Sequence, residues 1–357
     1  MANVRLVDDP LGHAQDLITE GRAGEAAQFL GALIAAGRGG LLARLTLARA
    51  FAAAGDTKDA METARETAML NPSVAVAALG LGEAMLALGI LPTAIGEFQR
   101  ALRLDPHLSD ARAGLGRAWL EAGEAEKALQ AFAQIEDAPA DLIAEATAMR
   151  ARSRSDARYV RHLFDQFSTD YDVRMRGQLS YRAPEILREL ASLVLLKQKG
   201  LSILDLGCGT GLAGVAFKDM ARRLDGIDLS PAMIAKAREL GIYDALNVGD
   251  IESGLVTFAR HYDLILAADT VVYLGDLAQL LPQVAAQLAP DGMFLFTVEK
   301  KEGDGFELGP KRRWRHSESY LRDIAANAGF DISGFVQCSP RMEAGVAVDG
   351  LAVALTR

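Results

Sequence analysis

Apolar and small residues recur along the first 150 positions with a fixed period. Gly21, Gly55, Gly89 and Gly123 are spaced by 34 residues. Ala26, Ala60, Ala94 and Ala128 follow five positions later, and Ala14, Ala48, Gly82 and Gly116 precede each glycine by seven. Leu30, Phe98 and Phe132 place a large apolar side chain at one further phase, with Ala64 as the exception. Pro72 and Pro106 close two of the units, and Pro139 falls one residue short of the next. The pattern predicts helix, glycine turn, helix in four units, at 7–40, 41–74, 75–108 and 109–142. Small residues let paired helices approach closely, and the large residue fills the gap between units.

The pattern changes at 151–158, Ala-Arg-Ser-Arg-Ser-Asp-Ala-Arg, which is polar and lacks helical periodicity. It is the expected linker between a helical domain at 1–150 and a second domain at 159–357. An aromatic-rich segment, 159–172, follows, and then a helix expected over 183–196 with Pro184 in its first turn. From 201 strands and helices alternate. Strands are predicted at 201–206, 223–228, 245–248, 262–268, 293–298, 330–337 and 351–356, and helices at 212–221, 231–240, 276–289 and 317–328. Alternation of this kind implies a mostly parallel, Rossmann-like sheet of seven strands covered on both faces. The last two strands have no room between them for a crossover helix, so they are expected to pair antiparallel at one edge.

Composition narrows the class. The chain has 357 residues and a formal charge of -9. The excess acid lies in the first half, where 13 Lys/Arg face 20 Asp/Glu. General binding to a nucleic acid backbone is disfavoured, and a basic partner on the repeats is favoured weakly. The two cysteines, Cys208 and Cys338, have no metal-ligand spacing, so no metal is expected and a reducing compartment fits. The first ten residues lack a signal-peptide core, and no uncharged apolar run reaches membrane-spanning length. These features lead to the expectation of a cytoplasmic protein without a membrane partner.

The candidate chemistry centres on Asp205-Leu206-Gly207-Cys208-Gly209-Thr210-Gly211, where an apolar run ends in a glycine-rich turn before a helix. Such a turn lets a nucleotide lie against bare backbone. Gly209-Thr210-Gly211-Leu212-Ala213-Gly214 also satisfies the dinucleotide pattern. Asp205 argues for a ligand with a cationic amine, since a carboxylate there would repel a pyrophosphate. Asp228 ends the second strand, where it can accept both ribose hydroxyls of either ligand. Asp250 follows the third strand, where a carboxylate can accept the adenine amino group and a neighbouring apolar side chain can cover the ring. Together these residues favour S-adenosylmethionine over a nicotinamide dinucleotide.

The 34-residue period resembles the tetratricopeptide repeat, although the repeated tryptophan is absent. Residues 159–357 resemble a class I S-adenosylmethionine-dependent methyltransferase, and the whole chain is similar to bacterial methyltransferases with N-terminal tetratricopeptide repeats. The segment 164–172 looks like the leader helix that lids the cofactor in small-molecule methyltransferases of the biotin and quinone pathways, with Ser168 where alanine is frequent. The resemblance implies that Asp205 and the turn Gly207, Cys208, Gly209, Thr210 and Gly211 hold the methionine moiety. It implies that Asp228, with Leu229 beside it, binds the ribose, that Met233 packs on the adenine, and that Asp250 and Ile251 contact it. It also implies that the Ala267 carbonyl takes the methionine ammonium.

Methyl transfer needs alignment above all, and a base only if the acceptor must lose a proton. Asp269 and Tyr273 follow the fourth strand and are expected near the methyl. His316 is the best-placed candidate general base. Lys311-Arg312-Arg313-Trp314-Arg315 reads as a solvated loop, as a contact for RNA, or as part of an anionic-substrate pocket, to which Arg174, Arg176 and Arg182 would add. The acceptor is expected to be a small molecule, a carrier-bound group or a protein, and the repeats to dock a protein partner or a protein-linked substrate. The alternative is a repeat-based interaction protein whose second domain senses the cofactor without turnover.

Overall fold

The structure is a computed structural model describing residues 9–168, 171–173, 175, 177, 179–309 and 312–357. Thr169, Asp170, Arg174, Arg176 and Lys311, named above, lie outside the described residues, as do the first eight. The chain divides into two compact units, one ending at Ala151 and one starting at Arg152.

The first unit is a run of paired helices: α1 (Pro10–Thr19), α2 (Ala23–Ala35), α3 (Leu41–Ala54), α4 (Thr57–Leu70), α5 (Ala75–Ala87), α6 (Leu91–Leu104), α7 (Ser109–Glu121), α8 (Ala125–Phe132) and α9 (Ala140–Arg150). The four pairs are the four units of the 34-residue pattern, and α9 stands beyond them. Gly21, Gly55, Gly89 and Gly123 take φ between 70° and 85° at the turns within pairs, a conformation that only glycine adopts without strain. The small-and-large phases are a lock. Phe98 is wholly buried. A Cβ at Gly82 would lie 2.8 Å from its ring, and one at Gly114 2.5 Å away. Phe132 meets Gly116 in the same way one unit later.

The second unit begins with α10 (Ala157–Phe167), the short turn α11 (Tyr171–Val173) and α12 (Ala183–Val194). Its sheet is built from β1 (Leu201–Leu206), β2 (Ala221–Asp228), β3 (Ala245–Val248), β4 (Tyr262–Ala267), β5 (Leu288–Lys300), β6 (Phe306–Leu308), β7 (Trp314–His316) and β8 (Asp331–Cys338). After the small hairpin β9 (Met342–Glu343) and β10 (Val346–Ala347), β11 (Gly350–Thr356) completes it. Helices α13 (Leu212–Phe217), α14 (Pro231–Glu239), α15 (Leu280–Gln287) and α16 (Glu318–Asn327) lie between strands.

The strand order is β3-β2-β1-β4-β5-β11-β8. Strands β1 to β5 pair in parallel, while β11 pairs antiparallel with both β5 and β8, which puts β8 at the edge. Side chains alternate between two cores. Ile203, Leu264, Leu266 and Leu295 pack with Leu187 and Leu190 of α12. Leu204, Leu206, Ile265 and Phe294 face the other way, toward Leu280, Val284 and Leu321.

Two differences from the sequence pattern matter. Among the described residues the sheet has nine strands, because β6 pairs β7 antiparallel and β7 pairs β5 in parallel. Each is three residues long, too short for period-two alternation to register. Residues 151–158, read as a linker, belong largely to the second unit. Arg154 forms a β-bridge with Leu274, and Asp156 caps α10 by accepting from the Arg158 N–H.

The lock in the first unit predicts a stability cost. Phe98→Ala should destabilise the chain by roughly 3–5 kcal/mol and Gly114→Ala by roughly 1–3 kcal/mol. Urea unfolding of the full chain, followed by helical circular dichroism, measures both. A shift below the experimental error in either variant would contradict the packing described.

Candidate active site

Among the described residues, clefts open at the carboxyl ends of β1, β2 and β4, and three of them adjoin. The first is lined by Gly207, Gly209, Asp228, Leu229, Asp250 and Ile251, with Arg154, Phe164, Tyr171, Asp269 and Tyr273 closing it. The second runs along Gly207, Cys208, Gly209, Thr210 and Ala268, under Tyr171 and Tyr181. The third is an aromatic chamber with about 1140 Å³ of open and solvent-filled space, walled by Tyr159, Phe164, Phe167, Tyr171 and Tyr273, with Asp269, Arg313 and Glu343 as its polar groups. Tyr171 lines all three.

The glycine turn is shaped by backbone. Gly207, Gly209 and Gly211 have φ of 64°, 53° and 100°. A Cβ at Gly207 would overlap Thr270, whose hydroxyl donates to the Leu206 carbonyl at 2.9 Å. A Cβ at Gly209 would meet nothing and would stand in open cleft space, leaving a bare cradle for a ligand. Asp228 holds the turn from across the cleft. Its Oδ2 accepts from the Gly209 N–H at 2.9 Å and its Oδ1 from the Ser230 N–H at 2.8 Å. Burial pushes its pKa up to about 6, against those backbone donors.

The aromatic leader lies over this turn. Ser230 Oγ donates to Asp165 Oδ1 at 2.5 Å, and Thr210 Oγ1 donates to Asp172 Oδ1 at 2.6 Å. Phe164 packs edge-on against Tyr171 and Tyr273. Burial and the nearby Asp269 and Asp228 charges raise the Tyr171 pKa, so it stays a neutral phenol.

At the far end of the first cleft Asp250 is gripped by Arg154, with Nη2 2.5 Å from Oδ2 and Nη1 3.4 Å from Oδ1. The Glu252 N–H also donates to Oδ1 at 2.8 Å, and the Glu252 carboxylate pairs with Arg154. At the chamber end Asp269 stands at φ 57° immediately beyond β4, its Oδ1 2.6 Å from Nη1 of the fully buried Arg341. Arg341 also pairs with Glu299 and with Glu343, and Arg313 with Glu343 at 2.7 Å, while Arg315 reaches Glu299 at 3.5 Å. Two members of the basic run at 311–315 are thus spent inside a network of three guanidiniums and three carboxylates.

The structure brings together Gly207, Cys208, Gly209, Thr210, Asp228, Leu229, Asp250, Ile251, Asp269 and Tyr273. It holds five expected residues elsewhere. Asp205 lines none of the three clefts: its carboxylate accepts from the Tyr243 hydroxyl at 2.7 Å, and its other oxygen is buried with no hydrogen-bond partner among the described residues. Met233 is wholly buried in α14 and lines none of the three clefts. Gly211 caps α13 against Leu240 and Tyr243. Ala267 is buried opposite Phe296 in the sheet, and its neighbour Ala268 lines the second cleft instead. His316 is a correction. It is fully buried in β7, with Nε2 3.0 Å from the Gly275 carbonyl oxygen and its ring stacked on Tyr320. Burial pulls its pKa down to about 4. β7 turns it inward as a neutral packing residue.

Tyr171, Arg154 and Arg341 carry much of the geometry and were not singled out from sequence. Tyr171 was visible only as part of an aromatic segment. The two arginines gave no local signal, because their partners lie 96 and 72 positions away.

The buried Asp205 predicts a pH dependence. Burial, with a smaller contribution from the Asp228 charge, pushes its pKa up to about 7, against the opposing hydrogen bond from Tyr243. An unfolded aspartate titrates near ~3.9. The folded chain therefore holds a proton there that the unfolded chain releases, and this lowers stability progressively as pH rises through that window. Asp205→Asn should be more stable than the parent by roughly 1–4 kcal/mol at pH 8, with the gain vanishing near pH 4. Urea unfolding at both pH values measures it, and an equal difference at the two would refute it.

Comparison with known proteins agrees with both halves of the chain. Residues 204–294 match a family model described as a methyltransferase domain. Residues 45–109 and 85–152 match two models of the tetratricopeptide repeat. A ubiquinone biosynthesis O-methyltransferase of Nitrobacter winogradskyi is 32% identical over 117 residues, 31% of this chain and 43% of that protein. A malonyl-[acyl-carrier protein] O-methyltransferase of Priestia megaterium is 29% identical over 38% of this chain and 49% of that protein. The chain spans about half the length of the curated relatives it matches. Among solved structures, the magnesium protoporphyrin IX methyltransferase of Synechocystis PCC 6803 is 17% identical, with a TM-score of 0.44, over 56% of this chain and 96% of that one. Residues that match tetratricopeptide-repeat models are thus followed in the same chain by residues that match a methyltransferase-domain model.

Proposed function

We propose that the protein transfers the methyl group of S-adenosylmethionine to an oxygen atom of an acceptor held in the aromatic chamber. The observation that carries this reading is the meeting of the three clefts at Tyr171. A nucleoside fits the first cleft, with Asp228 accepting the ribose hydroxyls and Asp250 the adenine amino group. An amino-acid arm fits the second, along the bare Gly207–Thr210 backbone. Two relatives whose names specify O-methylation support oxygen as the acceptor atom.

Bound there, the cofactor supplies a sulfonium methyl that needs no further activation. The chain's own residues align and enclose. Phe164, Tyr171 and Tyr273 exclude water from the junction. Asp269, held by Arg341, would orient the acceptor hydroxyl and take its proton as the oxygen gains the methyl, leaving a neutral ether. Balanced charge in the arginine–carboxylate network favours an acceptor that is uncharged at that end. The first unit docks a protein partner or a protein that carries the acceptor, since stacked helical repeats present an extended surface.

Calorimetry with S-adenosylhomocysteine tests the first step. The full chain should bind it, and Asp228→Ala should weaken binding at least ~10-fold, as expected on losing charge-assisted hydrogen bonds. Absence of binding to the parent chain would overturn the reading. Radiolabelled methyl transfer into cell extract separates catalysis from sensing. Binding without any transfer would favour a regulatory domain.

A further inference from the structure

We propose that Arg154 is a positioning residue for the purine end of the cofactor, held in a strap formed by residues 153–155. This inference rests on the cofactor reading above and extends it to a part of the chain that sequence alone assigned to a linker.

The strap is built into the site on two sides. The Ser155 N–H donates to the Tyr273 carbonyl at 2.8 Å. The Ser153 carbonyl accepts from the N–H groups of Gly275 at 2.8 Å and Asp276 at 3.0 Å. These bonds fix the loop that carries Tyr273 into the chamber. Between them, the Arg154 side chain forks onto Asp250. Three consecutive residues thus hold both the acceptor-side phenol and the adenine-side carboxylate.

The fork decides how Asp250 presents itself. Its Oδ1 already accepts from the Glu252 N–H and from Arg154, while Oδ2 accepts from Arg154 alone. A carboxylate oxygen has two acceptor sites, so Oδ2 keeps one for an exocyclic amino group in the cleft. Arg154 sets the plane of the carboxylate. It also offsets one of the two negative charges that Asp250 and Glu252 bring to the cleft wall. A planar, bidentate guanidinium does this and an ammonium does not.

Adenine offers an amino donor at its 6-position, whereas hypoxanthine offers a carbonyl oxygen that a fixed carboxylate repels. The parent chain should therefore prefer S-adenosylhomocysteine to S-inosylhomocysteine, and that preference depends on Arg154. The experiment is calorimetric titration of the full chain and of Arg154→Lys and Arg154→Ala with both ligands, alongside circular dichroism of each variant. The expected result is about a ten-fold or larger loss of affinity for the adenosyl ligand in folded Arg154→Lys, with a smaller loss for the inosyl ligand, so that the preference shrinks. Arg152→Ala, whose exposed side chain pairs with Asp156 at 3.6 Å, should bind like the parent. An unchanged preference in folded Arg154→Lys would overturn the proposal, as would equal affinity of the parent chain for the two ligands. If the parent binds neither ligand, the cofactor reading fails first, which is a distinguishable outcome.

Discussion

The second unit depends on a carboxylate that reaches across a gap between two strands. Asp228 sits at the end of β2 yet bonds the backbone of the turn after β1, through the Gly209 N–H, and that of its own exit, through the Ser230 N–H. Both bonds restrain backbone in conformations that a helix or strand would not hold. The turn needs positive φ at Gly207, Gly209 and Gly211. Ser230 in turn caps α14 through the Met233 N–H and anchors the leader through Asp165. One buried carboxylate therefore fixes the turn, starts a helix and, through Ser230, positions the aromatic cover. Its burial is costly to its charge, and that cost is offset by two backbone donors rather than by a cation. A cation there would compete with the positive sulfur expected at the neighbouring cleft.

Cations are instead placed at the two ends of the connected clefts. Arg154 serves Asp250 at one end and Arg341 serves Asp269 at the other. Each guanidinium answers more than one carboxylate, as buried charge must when it is kept from water. The middle, where Tyr171 touches every cleft, carries a neutral phenol and aromatic edges. This distribution suits a displacement in which the sulfonium becomes a neutral thioether and the acceptor's hydroxyl proton, which carries the positive charge away, passes to the Asp269 end of the clefts.

How far this was legible in the sequence follows the range of each interaction. The repeats were readable because the period appears in the local pattern, and each glycine has its own local reason in a positive-φ turn. The parallel strands and their order of appearance were readable from apolar runs six or so residues long. Strands β6 and β7 escaped because three residues cannot show alternation. His316 reads from sequence as a candidate base because its burial comes from β7, a strand that the pattern does not reveal. Asp205 and Met233 sit at the expected positions along the chain, but their side chains turn toward Tyr243 and the helix core, a choice of direction that spacing does not encode.

The same distinction explains why the boundary segment was misread. Polar, arginine-rich and aperiodic residues are the signature of a connector when their partners are water molecules. Residues 153–155 have the same composition because their partners are a backbone loop and two carboxylates about a hundred positions downstream. Composition records that side chains avoid apolar burial. It does not record whether the polar groups they find belong to solvent or to the protein. Where a charged connector precedes a domain whose cleft walls carry unpaired acids in the sequence, the economical expectation is that the connector's arginines meet those acids, and that the connector is part of the domain it leads into.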